Sequence, residues 1–195
     1  VATREPTSDN FTEAGRDERP KHEKLYDYEA GYGFGNSRFH VGANLYFMDY
    51  SNQLILTGKI SEIGEALTSN IKDSYRMGIE LTGGVKIARW LDWSGNLTLS
   101  RNKIKNFTES IEVYDADWNF LREDHNDLGT TDIAFSPDII ANSMFNFNWK
   151  QFSASFNSQF GGRQYIDNTS CKDRSIDPYF VSNLRVGYVL SLIHI

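Results

Sequence analysis

The 195-residue chain has little of what usually discloses a function. Its single cysteine, Cys171, excludes an internal disulfide and leaves no cysteine pair for a metal centre. Its histidines, His22, His40, His125 and His194, are scattered, and no serine sits in a nucleophile elbow, so nothing marks a catalytic constellation. The net charge is mildly acidic at -6 with no basic cluster, which argues against a nucleic-acid surface. No apolar run approaches the length of a membrane helix. No signal peptide opens the chain and Val1 is not a start residue, so the sequence is expected to be an internal piece of a longer protein.

What is present is aromatic residues, glycine and strict alternation. In residues 25–34 the even positions are Tyr26, Tyr28, Ala30, Tyr32 and Phe34, and the odd ones are Asp27, Glu29, Gly31 and Gly33. In residues 74–87 the apolar set Tyr75, Met77, Ile79, Leu81, Val85 and Ile87 opposes Arg76, Glu80, Thr82 and Lys86. A period of two predicts β-strands, because successive side chains leave a pleated chain on opposite sides. The same pattern predicts strands from Phe39 to about Leu54, from Trp93 to Ser100, from Ala141 to Trp149, from Phe152 to Phe160 and from Phe180 to Tyr188.

The connections alternate too. Short turns are expected at 35–38, where Gly35 and Asn36 suit the positive backbone angles of a hairpin, at 89–91 and at 150–151. Long connections are expected at 56–73, at about 105–137 and at 162–177, and the charged opening stretch through Lys24 reads as a loop.

Alternation alone does not separate a barrel in lipid from a soluble sandwich, since both hide one face of each strand. Three features favour the barrel. Short turns and long loops fall at opposite ends. Phe34, Phe39, Trp90, Trp93, Trp149, Phe152 and Tyr188 cluster beside the short turns, as in the ring at one membrane boundary. The other face is rich in Asn, Ser, Thr, Gly, Arg and Glu, which suits a wet lumen. The expected fold class is all-β: an antiparallel up-and-down transmembrane β-barrel fragment, about seven strands of a larger barrel.

Specific residues add a resemblance. Arg4-Glu5-Pro6-Thr7, followed by the run from Arg19-Pro20-Lys21 to Tyr28-Glu29-Ala30-Gly31-Tyr32, resembles the loop and strand of TonB-dependent outer-membrane receptors, with His22 standing where that family usually has proline. Tyr46-Phe47-Met48-Asp49-Tyr50 is similar to the family's tyrosine-rich upward strand, and residues 74–81, with Gly78-Ile79-Glu80, to its downward partner. Residues 129–137 and 179–185 are similar to receptors of the Bacteroides type. The division expected is an external loop segment over 1–24 and partial receptor barrel over 25–189. Residues 190–195, Leu-Ser-Leu-Ile-His-Ile, look like a translated sequencing adapter, although Leu190 and Leu192 also extend the apolar face.

The resemblance implies an active importer of a bulky nutrient, a siderophore or other iron complex, with a SusC-type glycan importer, a passive porin and a soluble β-sandwich binding module as alternatives. It implies as partners the outer-membrane lipid, the TonB complex, a plug domain of its own and a small or oligomeric ligand, with no cofactor and no enzyme activity. Asp27, Glu29, Arg76, Glu80, Lys86 and Arg185 are then candidates for plug or lumen contacts, or simply solvate the lumen. In the longest connection Tyr114, Asp115, Asp117, Trp118, Asn119 and Phe120 are candidates for ligand capture, because exposed aromatics in a long loop want a partner; the alternative is a loop packed on itself. Asp115, Asp117 and Asn119 have the spacing of a calcium loop, but Phe120 replaces its glycine and Asn126 its bidentate Glu, so no metal site is expected. The glycosylation triplets at Asn10, Asn96, Asn106 and Asn168 are chance matches in a bacterial protein.

Overall fold

The computed structural model describes residues 1–13, 19–60 and 66–190. In chain order the elements are β1 (Ala2–Arg4), α1 (Ser8–Glu13), β2 (Glu23–Gly35), β3 (Phe39–Ile60), β4 (Ala66–Ala88), β5 (Leu91–Tyr114), β6 (Phe120–Asp132), β7 (Ile139–Trp149), β8 (Phe152–Gly161), β9 (Gln164–Tyr165), β10 (Ser175–Ile176) and β11 (Tyr179–Tyr188). One antiparallel sheet runs β1-β2-β3-β4-β5-β7-β8-β11, and β6 pairs with the upper part of β5. The small β9–β10 pair stands apart.

Every strand predicted from alternation is present, and the register carries each face across the sheet. Directly opposed residues share a face. One apolar row therefore reads Ala30, Leu45, Ile79, Leu99 and Ile139, and the next row up reads Tyr28, Phe47, Met77 and Arg101. Nearer the short turns, Trp93, Phe145, Phe156 and Leu184 continue that face. Among the described residues no second layer covers it: Phe145 is exposed, and Phe147, Leu97 and Ile79 are half-buried. A sandwich would bury this face under another sheet.

Several expectations change at the end away from the short turns. The connection expected at 56–73 is mostly strand, since β3 runs to Ile60 and β4 starts at Ala66; residues 61–65 lie outside the described residues. The stretch 105–137 is chiefly a hairpin, because β5 continues to Tyr114 and β6 pairs back along it. Strands β3, β4 and β5 have 22, 23 and 24 residues, about twice what crosses a bilayer at a tilt, so they project well past it. The opening stretch holds β1 and the short α1, with β1 paired to the upper end of β2. Neither Gly35 nor Asn36 takes a positive φ. Their turn closes instead through the Asn36 side chain, whose Oδ1 accepts from Arg38 and Phe39 N–H at 2.8 and 3.0 Å. Residues 191–195 of the adapter-like end lie outside the described residues.

The described hydrophobic core is small and sits high on the polar face. Ile55, Ile104 and Ile133 are buried, with Ile71 and Phe107 packed against them. Ser74, Ile104 and Thr131, opposed in one row, are all buried there.

Candidate functional site

The polar face supplies a continuous lining. Asp27, Glu29, Arg76, Glu80, Lys86 and Arg185 all fall on it by register, although they come from three strands. Lys86, Asp92, Asn146, Ser155 and Arg185 occupy one row across five strands. Within it Asn146 Nδ2 donates to Asp92 Oδ2 at 3.0 Å, and Ser155 Oγ donates to Asn146 Oδ1 at 2.9 Å. A cationic residue, Lys86 or Arg185, brackets each end of this bonded row, and both are exposed. Closer to mid-sheet, Asn142 Nδ2 donates to Asn96 Oδ1 at 3.0 Å. A polar pocket of about 300 Å³ lies there, lined by His40, Thr82, Ser94, Asn96, Asn142 and Asn157 among others.

Glycine lets this lining approach the backbone closely. The Tyr46 ring lies over Gly78, where an added Cβ would meet Tyr46 Oη at 2.7 Å and Leu99 O at 2.5 Å. His40 covers Gly84 in the same manner, 2.3 Å from the position a Cβ would take. A bare glycine in a strand interior weakens it, and an aromatic ring laid across it restores packing.

At the long-loop end two constructions stand side by side. The first is a buried knot. Residues 133–138 interrupt the descending path between β6 and β7, and residues 162–178 fold against them. Asn168, only 1% exposed, accepts from Ala134 N–H at 2.9 Å; Asp132 N–H donates to Ser170 Oγ at 2.7 Å; Phe135 N–H donates to Tyr165 O at 2.8 Å. Arg174 spans Asp167 at 2.8 Å and Glu109 at 3.1 Å, tying this loop to the base of the β5–β6 hairpin. Arg76 reaches the knot from the polar face, donating to Ser136 Oγ at 3.0 Å. None of these contacts is signalled by the sequence, since nothing in an Asp-Asn-Thr-Ser run says which distant amide it will cap.

The second construction is the hairpin tip. Tyr114, Trp118 and Phe120 gather there, with ring centroids 6.2 and 6.0 Å from Tyr114, and Trp118 is 83% exposed. Asp115 does structural work: its carboxylate accepts from Asp117 N–H at 2.9 Å, Asn119 N–H at 2.8 Å and Asn119 Nδ2 at 3.0 Å. The Asn119 side-chain amide, then these backbone N–H groups, hold the Asp115 carboxyl below its ordinary range. The calcium-like spacing is thus an Asx turn, closed by Trp118 N–H on Asp115 O with Trp118 at φ 63°. Asp117 donates its amide to this turn and leaves its side chain free for solvent.

At the short-turn end the aromatics named from the sequence come together in part. Phe34 meets Phe39 at 5.8 Å, Trp90 meets Trp149 at 6.4 Å, and Phe152 opposes Tyr188. Phe147 joins them, 5.2 Å from Trp90 and 5.7 Å from Phe152. Trp93 lies deeper, with Nε1 bonded to Ser143 Oγ at 2.9 Å. A second aromatic band, not anticipated, crosses the other end of the apolar face: Tyr28, Phe47 and Tyr75 at 6.4 and 6.3 Å spacing.

A sheet with one apolar outer face, one polar inner face, tight turns at one end and tall hairpins at the other matches a known family model over residues 6–192, that of the TonB-dependent receptor-like β-barrel. The chain belongs to the TonB-dependent receptors. Solved structures of the same fold include the ferric yersiniabactin uptake receptor FyuA from Yersinia pestis (17% identity, TM-score 0.61, 86% of this chain and 22% of that one). The copper transporter OprC follows at 15% identity and TM-score 0.68, over 97% of this chain and 28% of that one. The siderophore receptor PirA from Acinetobacter baumannii follows at 14% identity and TM-score 0.58, over 88% and 26%. The chain spans about a quarter of the length of these receptors. No curated protein matches the sequence significantly. TonB-dependent receptors reside in the bacterial outer membrane, so the apolar face of this wall meets lipid and the polar face meets the lumen.

Proposed function

We propose that this chain is part of an outer-membrane active transporter that imports a bulky nutrient, a siderophore or other iron complex, with energy relayed by TonB. The observation that carries the reading is the hydrogen-bonded polar wall with outstanding cations on a receptor barrel. A plug domain seated against that wall would meet Lys86 and Arg185 at the lower rows and Asp27, Glu29, Arg76 and Glu80 higher up, where charge costs little because no lipid reaches it. Two of the solved receptors of this fold are named for siderophore or ferric-siderophore uptake, which favours an iron complex as cargo. The exposed trio Tyr114, Trp118 and Phe120 is the capture surface in this reading, with Asp115 and Asp117 shaping the turn that presents it. Residues 1–24 are external, as is the β5–β6 hairpin.

The test is uptake. Deleting the gene for the full-length receptor should abolish TonB-dependent accumulation of at least one labelled ferric siderophore, and Trp118→Ala should weaken binding of that complex about tenfold, a loss typical of an aromatic contact anchor. Uptake of every iron complex surviving the deletion, with loss of oligosaccharide uptake instead, would transfer the assignment to glycan import. Diffusive uptake independent of TonB would make the barrel a porin.

A further inference from the structure

The net charge of this chain is not spread along it. Residues 108–127, the projecting part of the β5–β6 hairpin, hold seven of the 26 acidic residues and one of the 20 Lys and Arg. The whole excess of -6 therefore resides in them, and the rest of the chain balances.

Register sorts these charges by face. Thr108 opposes Asp127, Ser110 opposes His125 and Glu112 opposes Glu123, so these six side chains form one strip. Thr108 Oγ1 donates to Asp127 at 2.6 Å, and Ser110 Oγ bonds His125 Nδ1 at 3.1 Å. The strip contains no Lys or Arg. Arg122 opposes Val113 on the other face, where it is engaged with Asp124 at 2.8 and 3.3 Å. Glu112, Glu123 and Asp127 are all exposed.

The strip leads up to the exposed rings. Tyr114 Oη donates to Glu112, and this bond holds the phenol above its ordinary range. Trp118 and Phe120 flank Tyr114. Like charges directly opposed across a ladder destabilise it, and Glu112 against Glu123 is such a pair. Local conflicts of this kind are kept where function sets the residue. Among the described residues no three His, Cys, Asp or Glu side chains converge to hold a metal ion, so the strip acts as a field on a larger cation. An ammonium or guanidinium group gains both from an aromatic face and from the negative charge around it. An anionic complex would be repelled by the strip, and no Lys or Arg lies between Val113 and Leu121 to receive it.

We propose that the cargo captured at Tyr114, Trp118 and Phe120 carries an ammonium or guanidinium group, which seats on these rings beside the Glu112–Glu123 strip. This rests on the trio being the capture surface, and it narrows the iron complexes to cationic ones. The probes are three ferric complexes: a linear trihydroxamate with a terminal primary ammonium, the same molecule acetylated at that amine, and a tris-catecholate trianion. Calorimetric titration of the full-length receptor in neutral detergent reads their affinities. The ammonium form should bind about fivefold more tightly than the acetylated form, and the trianion most weakly. The exposed double variant E123Q/D127N should cut the ratio of the first two to about twofold, and high salt should shrink it likewise. Failure of the ammonium form to bind, equal affinity for the acetylated form, preference for the trianion, or a ratio indifferent to both variant and salt would each overturn the proposal. Trp118→Ala reads the capture surface without regard to charge. Binding weakened by it but blind to sign sinks this inference alone, whereas binding untouched by it sinks the capture surface as well.

Discussion

The knot and the hairpin tip lie at the same end of the sheet and are built on opposite plans. The knot takes residues from two distant segments, 132–138 and 167–174, and buries the polar groups that join them. The tip uses only neighbours within residues 112–120 and leaves its apolar rings in water. A buried amide left without its partner costs its full desolvation, whereas an exposed one turns to water. The two regions should therefore answer the same chemical insult very differently. The knot is built to stay closed, and the tip to stay available.

The sharpest way to break the comparison is a matched pair of asparagine substitutions. Asn168→Ala removes a buried side chain and strands the half-buried Ala134 N–H, and should lower stability by about 1–3 kcal/mol, with faster hydrogen exchange across 132–138. Asn119→Ala, which removes one exposed bond to Asp115, should stay within about 0.5 kcal/mol in urea unfolding of the full-length receptor. Equal costs would erase the distinction. Next in size is Arg174→Met. It unties Asp167 and Glu109 together, but Arg174 is nearly half exposed, so water screens the pairs and the cost should be about 1 kcal/mol, shrinking in high salt.

Acid offers a gentler probe of the tip. The Asp115 carboxyl is depressed in the folded hairpin, first by the Asn119 side chain and then by backbone amides, so its contribution to the turn is complete above the ordinary carboxylate range. It is lost as pH falls through the depressed value. Trp118 fluorescence should report this loosening on the acid side only, and Asp115→Ala should remove the transition. The smallest stability effect belongs to Trp118→Ala, within about 0.5 kcal/mol because the ring is already in water. That near-neutrality makes it a clean reagent for the binding test.

The wall was legible in the sequence because lipid on one side and a wet lumen on the other impose alternation residue by residue. Tyr28, Phe47, Ile79, Leu99 and Phe145 all sit on the side their parity predicted. Above the membrane that constraint ends. Thr108, Glu109, Ser110 and Glu112 pair with Asp127, Asn126, His125 and Glu123, and with water on both faces neither strand alternates, so they read as a loop. The knot was illegible for another reason: its bonds run from side chains to backbone amides some 34 to 38 positions away, and backbone carries no residue signature. The acidic strip needed the register itself, since only pairing sets Glu112 against Glu123.

Strand β5 changes neighbours along its length: Leu91–Leu99 pair with β7, and Lys103–Tyr114 with β6. The ladder that seals the membrane is complete before the β6 ladder begins. Residues can accordingly be added to or removed from the projecting hairpin with no slip in the joints below it, so that the outer end of this wall can vary in length while its hull stays watertight.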